Sequence, residues 1–128
     1  DFENKKGTII SWESVPRLQK IKKKLEKLTK CSLQAEGNFY TDGGIKKTGI
    51  GYHGDTERRI VIAIRTGDNT MPLHYQWYHQ SKRIGKNFQV DIEPGDLYIM
   101  SEKAVGTDWK KRSLYTLRHS TGAAKYTK

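Results

Sequence analysis

His53-Gly54-Asp55 places an imidazole and a carboxylate two positions apart. On an extended chain residues i and i+2 point to the same face. Both groups therefore converge from one strand end, and the glycine between them adds no bulk. With a third donor, usually a distant imidazole, they form a two-histidine, one-carboxylate face that suits ferrous iron and leaves coordination positions open for other ligands. His-x-Asp is a cheap pattern by itself, so its weight depends on the elements around it.

Those elements change character at Cys31. Before it, Ser14-Val15-Pro16 reads as a helix start, with Ser14 as cap and proline in the first turn. Leu18, Ile21, Leu25 and Leu28 then form one helical stripe among Arg17, Lys20, Lys22, Lys23, Lys24, Lys27 and Lys30. This is a basic amphipathic helix. After Cys31, short β-branched or alternating runs predict strands near 31–40, 49–54, 58–66, 73–79, 87–92, 96–101 and 113–120. Turns are expected at Asp42-Gly43-Gly44, Thr66-Gly67-Asp68-Asn69, Ser81-Lys82-Arg83-Ile84-Gly85 and Glu93-Pro94-Gly95-Asp96. Many short strands after one helix argue for a mainly β sandwich or barrel with the amphipathic helix packed outside. A chain of 128 residues suffices for a single domain over 1–128.

Composition narrows the chemistry. The only cysteine, Cys31, excludes an internal disulfide and a cysteine-based zinc site, and fits a reducing, intracellular setting, cytoplasmic or nuclear. No apolar run reaches the length of a membrane span. Asp1, Phe2, Glu3 and Asn4 do not read as a signal peptide. The net charge of +10 makes a polyanion the first partner to consider.

The context of the motif resembles the AlkB-like family of iron and 2-oxoglutarate dioxygenases. Asn38-Phe39-Tyr40, the glycine turn at Asp42-Gly43-Gly44, and Ile50-Gly51-Tyr52-His53-Gly54-Asp55-Thr56-Glu57 follow that family's order of Asn-x-Tyr, glycine turn, aliphatic, His-x-Asp and nearby Glu. Tyr40 and His53 stand thirteen apart, a few more than usual there, with the extra residues at 44–49. Pro94-Gly95-Asp96-Leu97-Tyr98-Ile99-Met100 looks like the Gly-Asp-aliphatic strand that precedes the distal ligand. The resemblance spans about residues 31–120. It implies a double-stranded β-helix, a jelly-roll or cupin-like barrel, that uses Fe(II), 2-oxoglutarate as co-substrate, and O2.

Two alignments compete at the distal end. In one, Arg112-Ser113-Leu114-Tyr115-Thr116-Leu117-Arg118 resembles the family's Arg-x5-Arg strand, and the distal histidine should precede Arg112. No histidine lies between Gly95 and Arg112; Trp109 falls near the expected place. In the other, Leu117-Arg118-His119-Ser120 is the distal-ligand strand and His119 the third ligand. His119 is preferred, because it has the right chemistry at a strand-like position; His74 and His79 read as polar, aromatic surface. The resemblance implies His53, Asp55 and His119 as catalytic metal ligands, with Asn38, Tyr40, Arg112 and Arg118 binding the co-substrate; Arg118 could serve either alignment, as a co-substrate anchor or as a partner beside the metal ligands. Arg58 and Arg59 follow the motif directly, and one of them is a candidate for facing substrate.

The expected reaction is oxidation of a C–H bond, on a methylated base of DNA or RNA. Phosphate contacts would supply the sequence-independent binding, and Tyr75, Trp77, Tyr78 and Trp109 are candidates to stack an exposed base. A protein hydroxylase on the same barrel and a non-catalytic basic nucleic-acid-binding module are the rival readings. No membrane association is expected, and a monomer is the favoured state.

Overall fold

A computed structural model describes residues 8–128; the first four residues, read above for a signal peptide, lie outside them. The described residues form two compact units, one up to Asn38 and one from Phe39 to Lys128.

In the first unit a 3-10 turn, Trp12–Ser14, leads into α1, Pro16–Thr29. Ser14 does not cap α1. The Ser11 hydroxyl accepts from the Glu13 N–H of the short turn, the Ser14 hydroxyl donates to the Ser11 carbonyl, and Val15 takes the cap position without a side-chain bond. Proline at the first helical position fits, since that N–H would have no helical partner. Lys30 ends the helix in the left-handed region at φ 56°. Lys22 pairs with Glu26 one turn on, and the same carboxylate accepts from the Leu33 N–H, turning the chain back after the helix. No residue of α1 is buried.

The second unit is mainly β. Its strands are β1 (Gly49–His53), β2 (Val61–Ile64), β3 (Met71–His79), β4 (Lys82–Ile92), β5 (Leu97–Met100) and β6 (Thr116–Gly122). Short helices α2 (Glu102–Val105) and α3 (Ala124–Thr127) flank β6. The order in the four-stranded sheet is β1-β6-β3-β4, all antiparallel, and β2 pairs with β5 in a second antiparallel sheet. The chain thus passes repeatedly from one sheet to the other. Met71, Leu73, Tyr78, Ile92, Met100, Val105 and Ala123 are the buried apolar residues, with Val105 wholly enclosed.

Several boundaries differ from the sequence reading. Residues 31–40 form no strand; the stretch is largely exposed and pairs with no ladder. The turn expected across 81–85 is instead a two-residue hairpin at Gln80 and Ser81, both at positive φ (48° and 65°). Primed turns of this kind match the twist of the flanking strands, but usually announce themselves with Asn-Gly. Gly85, at φ 68°, falls in an irregular stretch of β4, where register slips between Tyr75 and Trp77. The turn after Tyr40 is organised by Asp42. Its carboxylate accepts from the N–H groups of Gly44, Lys46, Lys47 and Thr48 and from the Thr48 hydroxyl. The hydroxyl and these amides hold the Asp42 carboxyl well below the usual carboxylate range.

Candidate metal centre

Register brings the two histidines together. Ile50 of β1 faces Thr121 of β6, and regular antiparallel pairing would then put Tyr52 opposite His119. One extra residue in β1 shifts the register, so that His53 is the partner of His119. Their ring centroids are 4.3 Å apart. Asp55 follows past the strand end, its N–H donating to the Val105 carbonyl at 2.9 Å. His53, Asp55 and His119 each offer one ligand atom, and these atoms all lie within 4.8 Å of one another.

His53 and Asp55 are held from outside. His53 Nδ1 lies 2.8 Å from the Gly51 carbonyl oxygen. A carbonyl only accepts, so the proton sits on Nδ1 and the Nε2 lone pair is left for a cation. Nε2 is 3.5 Å from Asp55 Oδ1, and the other oxygen of Asp55 accepts from Arg58 Nη1 at 3.2 Å. Arg58 therefore braces the carboxylate. His119 is buried, at 8% exposure, and its Nδ1 is enclosed with no hydrogen-bond partner. Burial, and then the charge of His53, push the His119 imidazole down to about 4, so it is neutral and able to ligate at neutral pH.

The spacer residue is not free to vary. A Cβ on Gly54 would meet the Gly106 carbonyl oxygen at 2.2 Å and Trp109 side-chain atoms at 2.8 Å. Gly106 closes α2 at φ 76°, and a Cβ there would meet the Leu117 carbonyl oxygen at 2.5 Å and Gly54 Cα at 3.1 Å. Two glycines thus let the His-Gly-Asp segment, the end of α2 and β6 approach at backbone distance.

Beside His119 is a cavity of about 340 Å³ lined by Tyr75, Trp77, Lys86, Phe88, Ala104 and Leu117. Tyr75 pairs with His119 across the sheet, its ring 6.3 Å away, and with Phe88 on β4. Burial pushes the Tyr75 phenol up to about 12 and also raises Tyr40 and Tyr98. Tyr98 also acts electrostatically on Tyr75 and Tyr40, and Arg65 on Tyr98 and Tyr40, while the Arg65 guanidinium donates from Nε and Nη2 to the Asn69 carbonyl at 3.0 and 2.8 Å. Tyr98 is the partner of Ala63, and Arg65 follows two residues later on the same face of β2.

Of the other expected site residues, Tyr40 is one of these phenols. Asn38 is the exposed last residue of the first unit. Arg112 is exposed in the turn before β6, where its carbonyl accepts from the Gln80 N–H. Arg118 lies next to the cluster but is turned from it. It neighbours His119 on β6 and so points to the opposite face, with its guanidinium 4.0 Å over the Tyr78 ring and 5.3 Å over Trp109. Trp109 likewise lies behind the ligands. His74 is 2.9 Å from the Asn87 side chain and His79 stacks on Tyr115 at 4.4 Å, so neither joins the cluster. The sequence did not single out Lys86 of the cavity wall, and the Arg-Ile-Val-Ile-Ala-Ile-Arg run showed the strand but not its pairing with β5.

No family model matches this chain, and no solved structure matches it significantly. Among curated proteins it is similar to an uncharacterized protein, R156, of Acanthamoeba polyphaga mimivirus, with 48% identity over 129 residues. That alignment takes in the whole of this chain and 50% of the relative, so the chain spans about half the relative's length. No helix among the described residues is long and apolar enough to cross a membrane.

Proposed function

We propose that this chain is an Fe(II)- and 2-oxoglutarate-dependent oxygenase built on a double-stranded β-helix and acting on a methylated nucleobase. The observation that carries the reading is the convergence of His53, Asp55 and His119, two imidazoles and one carboxylate with ligand atoms within 4.8 Å. The donor set fits a cation in three ways. His53 turns Nε2 toward Asp55, His119 has an orphaned buried nitrogen and is neutral, and Asp55 has one oxygen braced by Arg58. The passage of the chain between sheets, with β6 inserted between β1 and β3 and β2 joined to β5, supports the double-stranded β-helix.

Iron, when bound, would supply activation of dioxygen at the expense of the co-substrate. The chain's own residues would do the rest. His53, Asp55 and His119 would hold the metal. Arg65 and the Tyr40 hydroxyl are the cation and donor suited to the remote carboxylate of 2-oxoglutarate, in place of Arg112 and Arg118. Tyr75, Trp77 and Phe88 give the cavity beside His119 aromatic walls on which a planar base could stack, with Lys86 placed for a phosphate. The net charge of +10 favours a nucleic-acid partner.

The test is anaerobic addition of Fe(II) and 2-oxoglutarate to the full chain, followed by visible absorption. A weak charge-transfer band should form and be lost on His53→Ala, Asp55→Ala or His119→Ala. Succinate release with methylated single-stranded oligonucleotides should exceed that with peptides. Absence of the band refutes the oxygenase reading, and stimulation by peptides alone would move the substrate to protein.

A further inference from the structure

Behind the three candidate ligands, one side chain touches both the segment that carries Asp55 and the strand that carries His119. Trp109 packs so closely on Gly54 that its Cβ and Cδ1 would each lie 2.8 Å from a Cβ placed there. Its indole Nε1 donates to the Thr56 hydroxyl at 3.2 Å. Gly54 and Thr56 are the residues immediately before and after Asp55, so Trp109 brackets that carboxylate along the chain. On its other side the ring lies 5.3 Å from the Arg118 guanidinium, and its carbonyl accepts from Arg118 Nη2 at 3.5 Å. Arg118 directly precedes His119, and its guanidinium is also held 4.0 Å over the buried Tyr78 ring of β3. Trp109 is itself anchored from the end of α2, its N–H donating to the Gly106 carbonyl at 3.0 Å.

We propose that Trp109 is a positioning residue that fixes the distance between the His53–Asp55 arm and His119, and so sets the affinity and geometry of the metal centre. The proposal rests on the metal-centre reading above. His53 and His119 are already opposed by strand register, but Asp55 lies beyond the end of β1, where no ladder bond fixes it. The Val105 carbonyl and Arg58 hold Asp55 at two points. Trp109 adds contacts on both sides of it and ties them to β6 through Arg118. Groups that orient ligands without touching a metal typically change its affinity 10–100-fold when removed. The Arg118 guanidinium, held by Tyr78 and Trp109, thus links that support to β6.

The experiment is Co(II) binding to the full chain, followed by the visible spectrum, which reports both affinity and coordination geometry. Trp109→Ala should weaken Co(II) binding by about 10–100-fold and alter the band shape. Trp109→Phe keeps a ring for Gly54 and Arg118 to pack on and should recover most of the affinity. Ile92→Ala, a buried residue at the far end of β4, controls for lost stability. It should lower the melting temperature without changing the Co(II) spectrum. Unchanged affinity and spectrum in Trp109→Ala would overturn the inference alone, as would an equal affinity loss in Ile92→Ala at matched stability. A wild-type chain that takes up no Co(II) would overturn the metal-centre reading and this inference with it.

Discussion

Gly54→Ala is the smallest change that should disrupt the centre, and its cost can be worked from three contacts. The added methyl would sit 2.2 Å from the Gly106 carbonyl oxygen and 2.8 Å from each of two Trp109 side-chain atoms. The carbonyl belongs to backbone held at φ 76°, where Gly106 itself approaches Leu117 and Gly54 too closely to accept a Cβ. The neighbour therefore cannot swing aside as a flexible side chain would. Overpacking of this kind costs about 1–3 kcal/mol, and contact with backbone argues for the upper end. Alanine recovers about 0.4–1 kcal/mol by restricting the unfolded chain. A net loss of about 2 kcal/mol remains, worth roughly 10 °C in melting temperature for a chain of this size. Gly51→Ala is the matched comparison on the same strand, since a Cβ there meets nothing within 4 Å. Thermal unfolding of both metal-free variants beside the wild type gives the answer. If Gly54→Ala melts within a degree or two of Gly51→Ala, the close approach of the His-Gly-Asp segment to α2 is not as described.

Two further perturbations test other parts of the fold. His119 is pushed down to about 4 from an ordinary 6.5, so between those values the unfolded chain binds a proton that the folded chain refuses. Stability of the metal-free chain should therefore fall with pH below about 6.5, by roughly 2–3 kcal/mol at pH 4.5 from this group. Urea unfolding of His119→Gln should show that much less acid loss than the wild type, and an identical pH dependence would refute the assignment. Gln80 and Ser81 occupy positive φ in the β3–β4 hairpin without the residues that favour it. The double change Gln80→Asn, Ser81→Gly should stabilise the chain by about 1 kcal/mol, and a lower melting temperature would contradict the two-residue turn.

The parts of this molecule legible in the sequence were those governed by periodicity. The helical stripe of Leu18, Ile21, Leu25 and Leu28 marked α1, and the Ile-Val-Ile-Ala-Ile run marked β2. His53 and Asp55 could be paired because two residues along an extended chain return to one face, and His119 because it sat in a strand-like run. Features set by tertiary contact were not legible. Arg118 looked like a ligand anchor until alternation along β6 put it behind His119. Residues 31–40 carried strand-like composition but found no partner strand. The hairpin at Gln80 and Ser81 lacked turn chemistry, because pairing along the ladders of β3 and β4 imposes the turn. Arg65 was one charge among many until β2 and β5 aligned it with Tyr98.

The surplus residue in β1 carries a consequence for any chain with the same letters. Iron out that bulge without changing a residue, and strict alternation from Ile50 would seat the Tyr52 phenol across from His119 while the imidazole turned to the other surface. The His-Gly-Asp string would survive intact, and the pocket for a cation would be gone. Length changes in the Asp42 turn, by contrast, are absorbed before the ladder begins. What makes a centre here is thus the register of two strands as much as the identity of their residues, and a pattern search blind to register would accept chains unable to assemble one.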